Sequence, residues 1–169
     1  MNIKSLIRNV PNFPKEGISY KDVTPLLLNP EAMDFYVQKW ANQIDSPIDK
    51  VVGIESRGFF FATLLAKKLN AGFVPIRKSG KLPYQTLQES YALEYGKDEL
   101  EIHTDAIQPR ERVLIHDDVL ATGGTAKAAC NLVERLGGEI VQCNFLIELS
   151  FLEGRNQLPG REITSLIQY

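Results

Sequence analysis

The sequence predicts an α/β fold in which a mainly parallel, twisted sheet is flanked by helices. Short apolar runs alternate with segments of helical composition along most of the chain, and this alternation is typical of parallel sheets. The 169 residues, 44% of them hydrophobic, are enough for one domain with its own core. Ligands of such sheets bind at the carboxyl ends of the strands, so we expect a functional site in the loops that follow them.

The N-terminal part is the least regular. We predict a short amphipathic helix up to Val10, followed by irregular chain over residues 11–24, which Pro and Gly interrupt repeatedly. Pro30 suits the first turn of a second helix over roughly residues 31–43, where apolar side chains recur at helical spacing.

The central part predicts two strands with a helix between them, then a hairpin. The apolar runs over Lys50–Ile54 and residues 72–76 predict strands, and Gly58–Leu69 predicts the helix. Residues 78–89, rich in polar residues, Gly and Pro, predict a long mobile loop. Weaker strand patterns near residues 91–95 and 100–103 suggest a hairpin that turns at Gly96 and Lys97.

The C-terminal part contains the strongest strand pattern, over residues 112–116. A helix is predicted over residues 124–136, ended by Gly137 and Gly138. Two further strands are predicted over residues 139–149 and 163–167.

Charge and composition exclude several classes of function. The 19 Lys and Arg against 21 Asp and Glu give a net charge of −2, which argues against non-specific binding of duplex nucleic acid. No run approaches the ~20 apolar residues of a membrane span, and the N-terminus has no secretory h-region. Neither the two cysteines nor the two histidines have the spacing of a metal site. We therefore expect a cytoplasmic protein with reduced, buried thiols.

Residues 113–125 contain the residue types that chemistry needs. An apolar strand is predicted to end in Asp117 and Asp118, and a loop with two glycines and two threonines leads directly into a helix. Glycines let the backbone approach a ligand, and the N–H groups at a helix start suit a phosphate dianion. Two carboxylates would repel that phosphate but suit sugar hydroxyls or hydrated Mg²⁺. The alternative is a tight strand–helix turn with a fortuitous acidic pair.

This run resembles the phosphoribosyl pyrophosphate (PRPP) motif of the type I phosphoribosyltransferases. The segments at residues 13–25, 53–59, 76–83, 93–97 and 166–169 resemble the adenine-specific members of that family, and the resemblance covers nearly the whole chain in order. It implies one phosphoribosyltransferase domain over residues 1–169, with a base-recognition hood over about 1–30 and a flexible loop and hairpin over about 78–103. It also implies a homodimer.

The resemblance assigns residues to PRPP and AMP. Asp117 and Asp118 would contact the ribose hydroxyls, and the loop after them would wrap the 5′-phosphate. Arg57 would donate to the pyrophosphate, although a surface salt bridge is the alternative for an arginine. The full set is Asp117, Asp118, Ala121, Thr122, Gly123, Gly124, Thr125, Glu55, Ser56, Arg57, Arg77, Lys78, Lys81 and Tyr95.

Two features of this set bear on the pyrophosphate. Glu55 stands where the family often has Asp, and the resemblance implies a cis peptide between Glu55 and Ser56. The basic cluster Arg77, Lys78 and Lys81 would reach the pyrophosphate, partly across a dimer interface.

The resemblance also assigns the base and the catalytic groups. Glu94 would meet N7 of adenine and assist as N9 attacks, and Arg57 would be the second catalytic residue. Lys21 stands where many family members have Arg, and a lysine cannot form the same planar fork. For Val119 and Leu149 the alternative is ordinary core packing. The adenine-binding set is Ser19, Tyr20, Lys21, Val119 and Leu149.

The implied reaction transfers the 5-phosphoribosyl group of PRPP to N9 of adenine, giving AMP and pyrophosphate. Mg²⁺ would be held mainly by PRPP, with help from Asp117 and Asp118. Nucleic acids and membranes are not expected partners. Two alternatives remain, namely a hypoxanthine, guanine or xanthine phosphoribosyltransferase, and a non-catalytic PRPP-binding regulator. A 6-oxopurine enzyme needs a contact to the 6-oxo group, often from a lysine, and no such contact is evident in the sequence. A regulator of this kind has a basic face, which the sequence does not show either.

Overall fold

The computed structural model describes residues 2–92 and 97–169. The chain divides into two compact units, Met1–Lys39 and Trp40–Tyr169, which are described separately. Within the described residues, no helix combines the length and apolar character needed to span a bilayer.

The first unit is built on a two-stranded antiparallel sheet. A 3₁₀ turn at Ile3–Leu6 leads into β1 (Arg8–Pro11), which pairs with β2 (Ser19–Asp22). The helix predicted up to Val10 is therefore wrong, because a helix this short is marginal in isolation whereas an extended chain gains a strand partner. The residues predicted as irregular chain contain β2.

Two helices complete this part of the chain. The short α1 (Thr24–Leu27) has Pro25 in its first turn. The helix predicted to start near Pro30 is confirmed as α2 (Pro30–Ala41), and it continues past the end of the first unit.

The second unit contains, among its described residues, one sheet of seven strands, and it confirms the predicted α/β class. The strand order is β5-β6-β4-β3-β7-β8-β9. Neighbouring strands from β4 to β9 are parallel, and β5 and β6 form an antiparallel edge. The strands are β3 (Lys50–Ile54), β4 (Gly72–Lys78), β5 (Thr86–Ala92), β6 (Lys97–His103), β7 (Arg112–Leu120), β8 (Glu139–Glu148) and β9 (Ile163–Gln168).

Helices α3 (Gly58–Leu69) and α4 (Gly124–Arg135) connect parallel strands. The fully buried Leu132 and Val133 of α4 join the core cluster of the sheet, and such burial contributes about 1.5–3 kcal/mol per side chain. Cys130 of α4 and Cys143 of β8 are free and buried, as predicted, with their Sγ atoms 3.6 Å apart.

The bounds of β3 and α3 agree with the prediction, but those of several other elements differ from it. β4 includes Arg77 and Lys78 because β6 pairs with both. β5 starts at Thr86, so the predicted loop over residues 78–89 shortens to residues 79–85. β7 runs on to Leu120 because β8 continues to pair with it.

The hairpin is confirmed as an antiparallel β5–β6 pair, with Ala92 opposite Lys97 at its last described position. The predicted turn at Gly96 and Lys97 is wrong at Lys97, because this residue pairs with Ala92 as the first residue of β6. Gly96 lies outside the described part of the chain.

Candidate active site

The site forms where the carboxyl ends of adjacent strands meet. β3 lies between β4 and β7, so the segments that follow β3 and β7 lie side by side, as the topology of parallel sheets predicts. These segments contain the predicted pyrophosphate loop and the predicted phosphate loop.

The phosphate loop, residues 121–125, is shaped by glycine. Gly123 caps α4 in the left-handed region with φ of +86°. A Cβ atom there would overlap the carbonyl oxygen of Gly154 and lie 2.9 Å from Cβ of Gln157. The start of α4 leaves N–H groups without intrahelical acceptors at the positive end of the helix dipole, which suits an anion.

A concavity of about 70 Å³ opens at this loop. Its lining includes all of the predicted phosphate residues except Gly124, together with one residue of the acidic pair. The lining residues are Asp117, Val119, Leu120, Ala121, Thr122, Gly123, Thr125 and Ala126.

A segment that sequence reasoning missed supports this loop from behind. The 3₁₀ turn Gly154–Gln157 passes so close that a Cβ atom on Gly154 would overlap the carbonyl oxygen of Ala121. Arg155 anchors the turn through a two-point ion pair with Glu148, at 2.6 and 2.8 Å. The Arg155 guanidinium holds the pKa of Glu148 below its usual value, although burial opposes this.

The predicted acidic pair lies within β7 rather than after it. Oδ2 of Asp118 is 2.7 Å from Nε of Arg57, and the Asp118 side chain is only 6% exposed. Oδ1 of Asp117 accepts the backbone N–H of Asp118 at 2.9 Å. Burial raises the pKa of Asp117, and the neighbouring Asp118 carboxylate raises it further. Burial also raises the pKa of Asp118, although the Arg57 guanidinium opposes this shift. Gly58, the first residue of α3, permits the close approach of this helix to Asp117. A Cβ atom added at Gly58 would lie 2.9 Å from the Asp117 carboxylate.

The predicted cis peptide between Glu55 and Ser56 is confirmed. The Glu55 side chain accepts from the Arg77 guanidinium at 3.1 and 3.4 Å and from the backbone N–H of Lys78 at 2.9 Å. Burial raises the pKa of Glu55, but these donors outweigh it and the net shift is downward. Glu55 thus ties the cis-peptide loop to β4.

The basic cluster is held by two carboxylates that the sequence did not indicate. Nζ of Lys78 is 2.8 Å from Oδ2 of Asp98 on β6, and this hydrogen bond is the main cause of the raised pKa of Lys78. Glu101, only 2% exposed, accepts the backbone N–H groups of Lys81 and Leu82 at 2.9 and 2.8 Å. Its pKa is lowered because its hydrogen-bond donors, most of them backbone N–H groups, outweigh the effect of burial.

Tyr91 of β5 links the hairpin to both halves of the site. Its hydroxyl donates to Oδ2 of Asp98 at 3.1 Å. Burial raises the pKa of Tyr91, although the Thr125 side chain opposes this. Between β5 and α4 lies an open cleft of about 390 Å³, lined in part by Tyr91, Thr122 and Lys127.

The predicted base residues fall into both units. In the first, Ser19 Oγ and Lys21 Nζ both donate to Oδ1 of Asn9, at 2.6 and 2.7 Å, and sequence reasoning missed Asn9. Tyr20 packs edge-on against Phe13, with ring centroids 5.0 Å apart.

In the second unit, Val119 lies on β7, and Leu149 directly follows β8 and donates its N–H to the carbonyl oxygen of Leu120. Val119 is partly exposed, and both residues lie outside the buried core cluster.

Two predicted residues lie outside the described part of the chain. Glu94 and Tyr95 belong to residues 93–96, so their predicted roles stay predictions. Among the residues described, no three His, Cys, Asp or Glu side chains are grouped closely enough to hold a metal ion.

A parallel sheet with a phosphate loop, an acidic pair and a cis-peptide loop at one edge defines a phosphoribosyl transferase domain, and the model of that domain family matches residues 26–157. The adenine phosphoribosyltransferase of Christiangramia forsetii is 63% identical over 170 aligned residues, covering 100% of this chain and 99% of the relative. The chain belongs to the adenine phosphoribosyltransferase family.

Solved structures agree with this assignment. The chain is 56% identical to adenine phosphoribosyltransferase from Rhodothermus marinus, with a TM-score of 0.95 and coverage of 99% of this chain and 96% of that one. It is 40% identical to the Saccharomyces cerevisiae enzyme complexed with adenine and an imino-altritol bisphosphate, with a TM-score of 0.93 and coverage of 96% and 95%.

Proposed function

We propose that this protein transfers the 5-phosphoribosyl group of PRPP to N9 of adenine and releases pyrophosphate, forming AMP. The observation that carries the proposal is the phosphate loop, the Asp117–Asp118 pair and Arg57 together at one sheet edge, in a chain of this family. The reaction is a step of adenine salvage.

In the proposed complex the phosphate loop binds the 5′-phosphate. The first N–H groups of α4 and the hydroxyls of Thr122 and Thr125 donate to its oxygens, a role that fits a helix start with Thr122, Gly123 and Thr125 lining one concavity. Ala121 and Gly124 supply close backbone approach. Asp117 and Asp118 accept from the 2′- and 3′-hydroxyls of the ribose.

The opposite side of the site stabilises the departing pyrophosphate. As the bond from C1 to pyrophosphate lengthens, negative charge grows on the leaving oxygen and positive charge grows on the ribosyl ring. Arg57 and the basic cluster Arg77, Lys78 and Lys81 stabilise the negative charge on the leaving pyrophosphate. Interactions of this type are worth roughly 10²–10³-fold in rate. The backbone of Glu55 and Ser56 borders the same group.

We propose that Mg²⁺ enters with PRPP as the counter-ion of its pyrophosphate. The adjacent carboxylates of Asp117 and Asp118 supply the oxygen donors that a hydrated Mg²⁺ prefers, so the residues present fit this ion. Bound there, the ion would neutralise phosphate charge.

The base is proposed to be recognised by Ser19, Tyr20, Lys21, Val119 and Leu149. Ser19 backbone groups would read the 6-amino edge, and the two aliphatic side chains would offer an apolar surface.

Glu94 is proposed to contact N7 and manage its proton as N9 attacks, and Tyr95 to contact phosphate. These roles depend on the family resemblance. We also propose a cytoplasmic homodimer, and the free thiols of Cys130 and Cys143 fit a reducing compartment.

The test is AMP formation from adenine and PRPP–Mg²⁺, with hypoxanthine, guanine, xanthine and orotate as competing bases. We expect adenine to be strongly preferred. Preference for a 6-oxopurine would overturn the base assignment, and PRPP binding without product from any base would favour a regulator. Light scattering of the same sample measures whether it is a dimer.

A further inference from the structure

We propose that Asp98 competes with the pyrophosphate group for Lys78 and thereby sets the affinity of the free enzyme for PRPP. This inference rests on the proposed function, because it takes Lys78 as a pyrophosphate ligand. It identifies Asp98 as an affinity-determining residue that does not itself touch the substrate.

The first observation is that Asp98 is held in place to meet Lys78. One carboxylate oxygen accepts the backbone N–H of Glu99 at 2.9 Å, and the other lies 2.8 Å from Nζ of Lys78. The Asp98 side chain is 22% exposed and that of Lys78 is 56% exposed. The carboxylate is thus positioned by the fold, whereas the lysine can exchange one anionic partner for another.

The second observation is that the same carboxylate leads to the phosphate loop. The hydroxyl of Tyr91 donates to Oδ2 of Asp98 at 3.1 Å, and Tyr91 lines the same cleft as Thr122 of the phosphate loop. A chain of polar interactions therefore runs from Lys78 through Asp98 to Tyr91 and ends beside the phosphate loop.

Competition follows from this arrangement. A pyrophosphate oxygen that pairs with Lys78 takes the place of the Asp98 carboxylate. A ligand that must displace an internal partner binds more weakly, by an amount equal to the strength of the interaction that it displaces. Exposed ion pairs are weak, so the expected effect is roughly two- to fivefold in affinity.

A merely structural role for Asp98 predicts the opposite result. If the carboxylate only stabilised the hairpin or oriented Lys78, its removal would leave pyrophosphate affinity unchanged or reduce it. The sign of the change in affinity therefore separates the two roles, whatever happens to stability.

The experiment measures the Kd of Mg²⁺–pyrophosphate and of PRPP by titration calorimetry on the full chain. Asp98→Asn keeps the size and hydrogen-bonding capacity of the side chain but removes its charge, and we expect roughly two- to fivefold tighter binding. The matched control is Glu99→Gln, which removes the same charge from the adjacent residue of β6, whose side chain faces Ser90. We expect no change in Kd for the control.

Unchanged or weaker pyrophosphate binding by Asp98→Asn would overturn the inference. Equally tighter binding by Glu99→Gln would also overturn it, because the change in net charge alone would then explain the effect. Asp98→Ala replaces Asp98→Asn if the latter does not fold. An unchanged Kd in an enzyme that still forms AMP rejects only this inference, whereas a wild type that binds neither ligand rejects the proposed function itself.

Discussion

The phosphate loop and the cationic side of the site, defined as Arg57, Arg77 and Lys78, are organised in different ways. The loop depends on the path of the backbone, since Gly123 and Gly154 allow two segments to touch, and the loop lines one concavity at the start of α4. The cationic side depends on side chains. One half of the site is thus shaped by the backbone, and the other half is held by ion pairs between side chains.

Each member of the cationic side faces a carboxylate from another part of the chain. Arg57 pairs with Asp118, Arg77 with Glu55, and Lys78 with Asp98. Each pair holds two long side chains in place. It also offsets the free energy lost when a charge is partly buried, which would be large if the charge had no partner. The net charge of −2 therefore conceals a group of cations of which these three are already paired with carboxylates.

The largest effect is expected from the cationic side. We predict that Arg57→Ala lowers kcat/KM for PRPP by roughly 10²–10³-fold, because it removes the proposed donor to the leaving group and leaves Asp118 without its ion-pair partner. Steady-state kinetics with adenine measures this loss.

The control is Arg161→Ala, which removes an arginine paired with Glu134 of α4 at 2.6 Å, away from the loops of the site. We expect near wild-type kinetics for this variant. If both variants lost activity equally, loss of an arginine would act through general destabilisation and Arg57 would have no special part in the site.

A somewhat smaller effect is expected from the phosphate loop. We predict that Gly123→Ala lowers kcat/KM by roughly 10²-fold, because the added Cβ atom displaces the loop from the turn behind it, and such misplacement costs about this much. Kinetics and the Kd of AMP measure the change.

Gly160→Ala is the matched control for this variant. Gly160 also has a positive φ, of +72°, but a Cβ atom there would meet nothing within 4 Å. Equal losses in both variants would show that backbone conformation alone is responsible, and that the close approach to the turn at Gly154 contributes nothing.

The same contrast explains what the sequence could predict. β3, α3 and the phosphate loop are encoded by neighbouring residues, and local patterns are enough to find them. The three ion pairs of the cationic side join residues far apart in sequence, such as Arg57 and Asp118, and nothing local marks Asp98 or Glu101 as partners. The sequence predicts the acidic pair at the end of a shorter strand because the continued pairing with β8 is a tertiary effect.

The sheet that supports both regions offers a prediction of its own. His116, directly before the acidic pair in β7, is fully buried and its Nδ1 is 2.6 Å from Oδ1 of Asn144. Burial lowers its pKa from 6.5 to about 4, although the bond to Asn144 opposes this. Between these values the unfolded chain binds one more proton than the folded one, so stability falls as the pH falls through this window.

We expect the free energy of unfolding to decrease by about 2 kcal/mol between pH 7 and pH 5 through His116 alone. Urea unfolding at several pH values measures this change, and the interval lies above the range where most carboxylates titrate. His116→Gln should remove most of the dependence. If the variant kept the wild-type profile, the acid sensitivity would come from elsewhere, and the carboxylates of the site would be the groups to test next. If activity is lost near pH 5 while the fold stays stable, the titrating groups lie in the site. If activity and stability are lost together, the titrating group is His116 in the sheet.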